Sequence, residues 1–382
     1  MPAPRFAPRA ARGTGVLLAG LIAFAVVLSA VGTGAANRGP GAPTPLGPRS
    51  PAAHSFVAPH AGGVAPAAPV PSAFSENWYN ISGNFPLGAP ANRTFAASAF
   101  DPDLNGTLVF GGYDDAAGTA YSDTWLFANG TWANLTPSLS GGPSIRWAAS
   151  MAWDPWNDEM VLFGGRNLVS TLHDTWTFNA SGWTLLTPST QPSHRQSQFS
   201  VFTWDPTLHA DYLYGGSCYL CNSAGGGVEF NDSWTFVNGT WTNVTTLVTG
   251  GPSILDYGAW DPPAGNITAY ASTSTNCTGT SSTWSFNGTT WTLRNATSPP
   301  GPVSQGGGFV YDGLDSTMML FGGGYDTGGI CAFYSLTWTY QNGTWTNRSS
   351  TYSPPLPRCC ESFSYDPLQR VILLLGGAQT SQ

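Results

Sequence analysis

The chain runs to 382 residues, with 47 Gly, 31 Pro, 13% aromatic and only 9% charged side chains; all 13 basic residues are Arg, and against 21 acids they leave a formal charge of -8. That acidity argues against a nucleic-acid partner, which needs a basic face. The aromatic content excludes wholesale disorder, and abundant Gly, Pro, Asn and Thr argue against a helical protein.

Taken in chain order, the first element is a leader. Arg5, Arg9 and Arg12 precede an uncharged stretch with the apolar run 16–31 at its heart, followed by the small residues Thr33, Gly34, Ala35 and Ala36. Residues 1–36 therefore read as a secretory signal peptide or, since the stretch approaches the ~20 residues that span a bilayer, as an N-terminal membrane anchor. Either places the remainder outside the cytoplasmic membrane, secreted or held at the cell surface, with the membrane touched only through this segment. Residues 37–75, mostly Pro, Ala and Gly, cannot bury a core and read as a disordered linker.

From residue 76 to 382 one pattern repeats. An aromatic-Asp step recurs at Asp101, Asp154, Asp205, Asp261, Asp312 and Asp366, at intervals of 53, 51, 56, 51 and 54 residues. Ten residues after each Asp comes a Gly pair, beginning at Gly111, Gly164, Gly215, Gly322 and Gly376; only the fourth copy departs, with Ala271-Ser272. Trp pairs seven residues apart follow: Trp125 and Trp132, Trp176 and Trp183, Trp234 and Trp241, Trp284 and Trp291, Trp338 and Trp345. Each unit predicts four short strands, a to d. Strand a ends at the aromatic-Asp step and an Asp-led turn reverses the chain. Strand b is apolar and ends at the Gly pair. Strands c and d carry the two Trp and meet, in four units, at Asn-Gly, the strongest short hairpin signal. One such sheet cannot cover its own faces, so units must pack on one another; radial packing gives an all-β propeller of about six four-stranded blades.

The period of about fifty, the Gly pair and the spaced aromatics resemble the kelch-repeat β-propeller family, across essentially all of the chain beyond Glu76. The resemblance implies kinship with the central propeller domain of galactose oxidase. The sialidase-type repeat competes less well, because its Asp box is absent. Closure of the ring is expected at the termini. Glu76–Ser82, with Trp78, matches strand d, while the C-terminus supplies only strands a and b of the sixth unit. Strand c of that blade is missing, which leaves open a chain cut short or a last blade of three strands.

Candidate functional residues are the ones that escape the pattern. In a four-stranded blade the b–c and d–a loops emerge on one face. From the d–a side that face receives Arg93, Arg146, Trp147, His194, Arg195 and Arg358; from the b–c side, Tyr113, Asp114, Tyr325 and Asp326. The Arg residues have two readings: hydrogen bonding inside the channel mouth, or a ring of fixed forks facing an acidic or carbonyl-bearing ligand. Cys218, Cys221, Cys277, Cys331, Cys359 and Cys360 fall on the same face, and in an exported chain they read as disulfides. Cys331 is expected to join Cys359 or Cys360, with Cys218 and Cys221 near Cys277. A Cys218–Cys221 zinc site lacks a second ligand pair. Fifteen Asn-x-Ser/Thr sequons are candidate glycan acceptors.

Catalytic constellations are poor. His173, His194 and His209 fall near strand c, before strand a and in an a–b turn, so all three cannot converge. No residue set resembles the copper ligands of galactose oxidase, and neither a catalytic residue nor a cofactor is assigned. Acids outside the pattern are chiefly Asp114, Asp115, Glu229, Asp256, Asp326 and Glu361. The expectation is a non-enzymatic recognition or adhesion module that binds protein or glycan through the b–c/d–a face. The alternative is a carbohydrate-active or galactose-oxidase-like enzyme whose catalytic part is missing or unrecognised.

Overall fold

The structure, a computed structural model, describes residues 77–82, 88–218, 221, 227–272, 280–301, 303, 306–326 and 331–379, and of residues 198, 325, 326 and 331 the backbone alone. The leader, the linker and Cys277 lie outside the described residues. Among those described, no helix is long and apolar enough to cross a membrane.

The repeats fold as antiparallel sheets. Blade one holds β1 (Ala97–Asp101), β2 (Gly106–Phe110), the short loop pair β3 (Tyr113–Asp114) and β4 (Thr119–Ala120), then β5 (Thr124–Ala128) and β6 (Thr131–Asn134). Blade two is β7 (Ser150–Asp154), β8 (Glu159–Phe163), β9 (Thr175–Asn179) and β10 (Gly182–Leu186). Blade three is β11 (Gln196–Asp205), β12 (Ala210–Cys218), β14 (Ser233–Val237) and β15 (Thr240–Asn243), with β13 (Val228–Glu229) added on β12. Blade four is β16 (Tyr257–Asp261), β17 (Asn266–Ser272), β18 (Ser281–Phe286) and β19 (Trp291–Arg294). Blade five is β20 (Gly308–Asp312), β21 (Thr317–Phe321), β24 (Thr337–Gln341) and β25 (Thr344–Asn347), with the loop pair β22 (Gly324–Asp326) and β23 (Cys331–Phe333). A final hairpin pairs β26 (Ser362–Asp366) with β27 (Val371–Leu375).

Local chemistry sets these strands. The Asp of each aromatic-Asp step caps its own turn: Asp154 Oδ1 accepts N–H groups from Trp156 at 2.8 Å and Asn157 at 3.3 Å, and Asp158 sits at φ 52°. At the c–d hairpins, Asn129-Gly130, Asn238-Gly239 and Asn342-Gly343 hold positive φ at both positions, as the sequence predicts. Asn287 does not; its Oδ1 instead accepts the N–H groups of Thr289 and Thr290. In the Gly pair, the first residue presses on the next blade. A Cβ on Gly164 would stand 2.5 Å from the carbonyl of Arg195, while Gly165 N–H donates to that same oxygen at 2.9 Å.

Assembly is radial. The inner strands β1, β7, β11, β16, β20 and β26 touch in that order, and β26 returns to β1. Four of the d-strand Trp residues, Trp183, Trp241, Trp291 and Trp345, lean on the blade before them. Trp241 packs 4.9 Å from Phe163 of blade two and donates Nε1–H to Thr175 Oγ1 at 2.9 Å; Trp183 and Trp345 do the same to Thr124 and Thr283.

Five blades are complete, so the expectation of six is corrected: among the described residues, the sixth radial place holds the two-stranded hairpin β26–β27 and no further strand. Residues 77–82 do not form the expected strand d. A strand d pairs with strand c, and among the described residues none stands there. Trp78 nevertheless takes the place of a d-strand Trp, 5.0 Å from Phe321 and donating Nε1–H to Thr337 Oγ1 at 3.0 Å. The ring closes instead through backbone groups: Gly377 N–H donates to Arg93 O at 2.9 Å, and Phe95 N–H to Cys360 O at 2.6 Å.

Candidate functional site

Beneath the b–c/d–a face lies a repeated lock. Arg146 Nη1 and Nη2 grip Asp174 at 2.7 and 2.8 Å, Nη1 also donates to Gly164 O at 3.0 Å, and Nε donates to Ser144 O at 3.2 Å. Asp174 Oδ2 in turn accepts Trp176 Nε1–H at 2.7 Å. Arg93 with Asp123 and Trp125, and Arg195 with Asp232 and Trp234, repeat the arrangement. The three guanidiniums are 1–2% exposed. Burial pushes the carboxyls of Asp174 and Asp232 up, but the paired Arg more than offsets it and leaves both below the usual range. Of the two readings of the Arg ring, the geometry carries the structural one for these three. Arg358 repeats the backbone contacts, to Gly376 O at 2.9 Å and Leu356 O at 3.1 Å; among the described residues it forms no ion pair, and the charge of Glu361 partly offsets its burial.

Over this layer the off-pattern residues form two groups. Trp147 and Tyr113 stack with ring centroids 4.7 Å apart, and the Arg166 guanidinium lies 5.0 Å over the Trp147 ring. All three are half-buried, and the buried Arg166 Nε has no hydrogen-bond partner. Backbone pairing of Trp147 with Arg166, and of Thr94 with Tyr113, holds the stack in place. Asp114, also half-buried, caps its own loop by accepting the N–H groups of Ala116 and Ala117. The second group joins His173 and His194, with ring centroids 3.8 Å apart, in a cavity of about 470 Å³ also lined by Val169, Leu172, Asp174 and Cys221. Burial first, and then the neighbouring His173, lower the His194 pKa against the pull of Asp174. His209 stands elsewhere, in an a–b turn beside Trp156. Tyr325 and Asp326 lie in β22, the counterpart of β3.

Two disulfides are described, and both are local. Cys218 bonds Cys221, and Cys359 bonds its neighbour Cys360. The expected Cys331 link to Cys359 or Cys360 is corrected. Cys360, at φ 68°, sits where strand a enters the ring, and its sulfur is taken by the adjacent residue.

A third cluster was not foreseen. Asp256 and Glu361 both line an axial cavity of about 120 Å³ with Tyr257, Gly306 and Gly307. Burial pushes both carboxyls up to about 8. Glu361 Oε1 accepts Gly308 N–H at 3.0 Å and the Tyr257 hydroxyl accepts Gly307 N–H at 2.5 Å, so these side chains hold the entry to blade five. Among the described residues, no group of three or more His, Cys, Asp and Glu gathers as a metal site.

A scan against protein-family models finds no match for this chain, and a search of curated proteins finds none either.

Proposed function

We propose that the chain is a kelch-type propeller acting as an extracytoplasmic recognition module, non-enzymatic, that binds a protein or glycan ligand through its b–c/d–a face. The observation that carries this reading is the Tyr113–Trp147–Arg166 stack. A Trp flanked by Tyr and Arg, half-buried and already ordered, is the composition of a binding hot spot, and its side chains lose little freedom on contact. That composition favours a protein surface among the ligands. The exposed loop tip at Leu168 and Val169, the latter 85% exposed, adds apolar surface beside it. Beneath, the Arg–Asp–Trp locks supply the rigid floor that a preorganised site needs. His173 and His194 extend the face toward blade three.

The test compares two tryptophans on opposite faces. Wild type, Trp147→Ala and Trp156→Ala are applied to the same array of immobilised extracellular proteins and glycans; Trp156, 55% exposed in an a–b turn, is the control. Trp147→Ala should keep its melting temperature and lose binding about 30-fold, as loss of a hot spot of about 2 kcal/mol requires. Binding lost by Trp156→Ala and kept by Trp147→Ala would move recognition to the opposite face and overturn the reading.

A further inference from the structure

We propose that His173 and His194 are a chelating pair for a transition-metal cation of the Zn²⁺ kind, held in the cavity between the b–c loop of blade two and the loop that leads into blade three. The proposal does not depend on what binds at the Trp147 stack.

The first observation is that the pair is assembled by its neighbours. Arg195 N–H donates to Leu172 O at 3.0 Å, and Leu172 N–H donates to Gly165 O at 2.7 Å, so the two loops are tied together next to both histidines. His173 precedes Asp174, which Arg146 grips, and His194 precedes Arg195, which grips Asp232. Each imidazole is therefore carried on backbone that a buried ion pair already holds, and little order remains to be gained on binding. The rings stand 3.8 Å apart and are tilted by 40°. Two imidazoles side by side on one metal, each nitrogen about 2.0–2.1 Å from it, put their ring centres roughly 4–5 Å apart. Rotation of the side chains covers that difference, since His194 is exposed and His173 only half-buried.

The second observation is the choice of donors. Ca²⁺ and Mg²⁺ require oxygen ligands. The carboxylate among the residues lining this cavity is Asp174, and Arg146 and Trp176 already hold both of its oxygens. Cys221 also lines the cavity, but its sulfur is bonded to Cys218 and offers no thiolate. Imidazole nitrogen is what remains, the donor that suits Zn, Cu and Ni. The zinc reading of Cys218 and Cys221 lacked a second ligand pair in the sequence; the fold supplies a pair of its own beside them, 21 residues apart in the chain. Two protein ligands leave half of a tetrahedral shell to water or to an atom of a bound molecule, and a cavity of about 470 Å³ has room for either. A site of this kind is open, as in metal centres that take up a ligand, rather than closed, as in structural ones.

Equilibrium dialysis of the untagged full chain against Zn²⁺ tests the pair, with Ca²⁺ and Mg²⁺ as competitors. The wild type should take up Zn²⁺ saturably, and neither competitor should displace it. The five histidines divide into two sets. His173→Gln and His194→Gln, each alone, should weaken uptake by about tenfold or more, at least what loss of an outer-shell partner costs a metal site. The triple variant His54→Gln, His60→Gln, His209→Gln keeps this pair alone and should bind as the wild type does. In that variant Ni²⁺ should broaden the proton resonances of both remaining imidazoles together, a readout that no folding defect in the single variants can disturb. The proposal is overturned by no saturable uptake at millimolar Zn²⁺, by uptake that survives either substitution in the pair, or by uptake lost in the triple variant.

Discussion

Blades one to three and the sector from blade four to the β26–β27 hairpin share one backbone plan and stabilise it by opposite chemistry. In the first sector a buried Arg, a partly buried Asp and a Trp indole lock strand a to strand c. In the second the lock is absent: Trp284 Nε1–H donates to Ser282 Oγ at 2.9 Å, Trp338 Nε1 is buried without a partner, and Asp256, Tyr257 and Glu361 fill the axis. Blades four and five keep the plan with neither charge, and the last hairpin keeps the Arg358 backbone contacts without an ion pair among the described residues. Where the pair is formed, removing both charges together leaves nothing unpaired, whereas removing one strands a buried ion.

The largest effect should be common to both sectors, because the d-strand Trp does the same thing in each. Trp241→Ala and Trp345→Ala should each cost about 3–5 kcal/mol, as deletion of a buried aromatic does. Trp132→Ala, beside the open sixth place, should cost clearly less. Chemical denaturation checks all three, and an equal loss at Trp132 would show that the neighbouring blade contributes little to Trp packing.

A smaller effect separates the sectors by pH. Asp174 and Asp232 have lowered folded values, so the stability they add is present above the unfolded carboxyl range and lost as pH falls through their folded values. Asp256 and Glu361 work the other way. With folded values of about 8, they keep protons that the unfolded chain releases above about 4, so their contribution declines as pH rises from about 4 to about 8 and is flat beyond. Asp256→Asn with Glu361→Gln should therefore raise the melting temperature at pH 8 by a few degrees and flatten its fall between pH 5 and pH 8. Calorimetry across that range checks it; an unchanged slope would mean that the two acids are not protonated in the fold.

Much of this was legible before any coordinates. The aromatic-Asp steps, the Gly pair and the paired Trp place five blades and a partial sixth to within a few residues, because each marks a turn or a contact that the backbone cannot make otherwise. The Trp147 neighbourhood was also legible, as an exception to a regular pattern. Arg166 was missed, since it repeats nowhere and meets Trp147 only through a loop bridge. The Arg–Asp pairing left a signal, Arg before strand a wherever Asp precedes the c-strand Trp, but 28 to 37 residues separate the partners. Asp256 and Glu361 meet only because six inner strands converge on one axis, and no spacing in the chain encodes that. The Cys359–Cys360 bond joins neighbours, and no spacing in the chain distinguishes it from a link to Cys331.

The claim that pairing, rather than position, gives these arginines their role is tested most directly by two substitutions side by side. Arg146→Met and Arg358→Met remove guanidiniums that each donate to the carbonyl of a Gly pair; Arg146 grips a carboxylate, whereas among the described residues Arg358 forms no ion pair and feels Glu361 only through its charge. Unfolding free energies at pH 7 should show a loss of about 3–5 kcal/mol for Arg146→Met, which leaves Asp174 stranded, and a change within about 1 kcal/mol for Arg358→Met. Equal losses at the two sites, or a larger loss at Arg358, would contradict it.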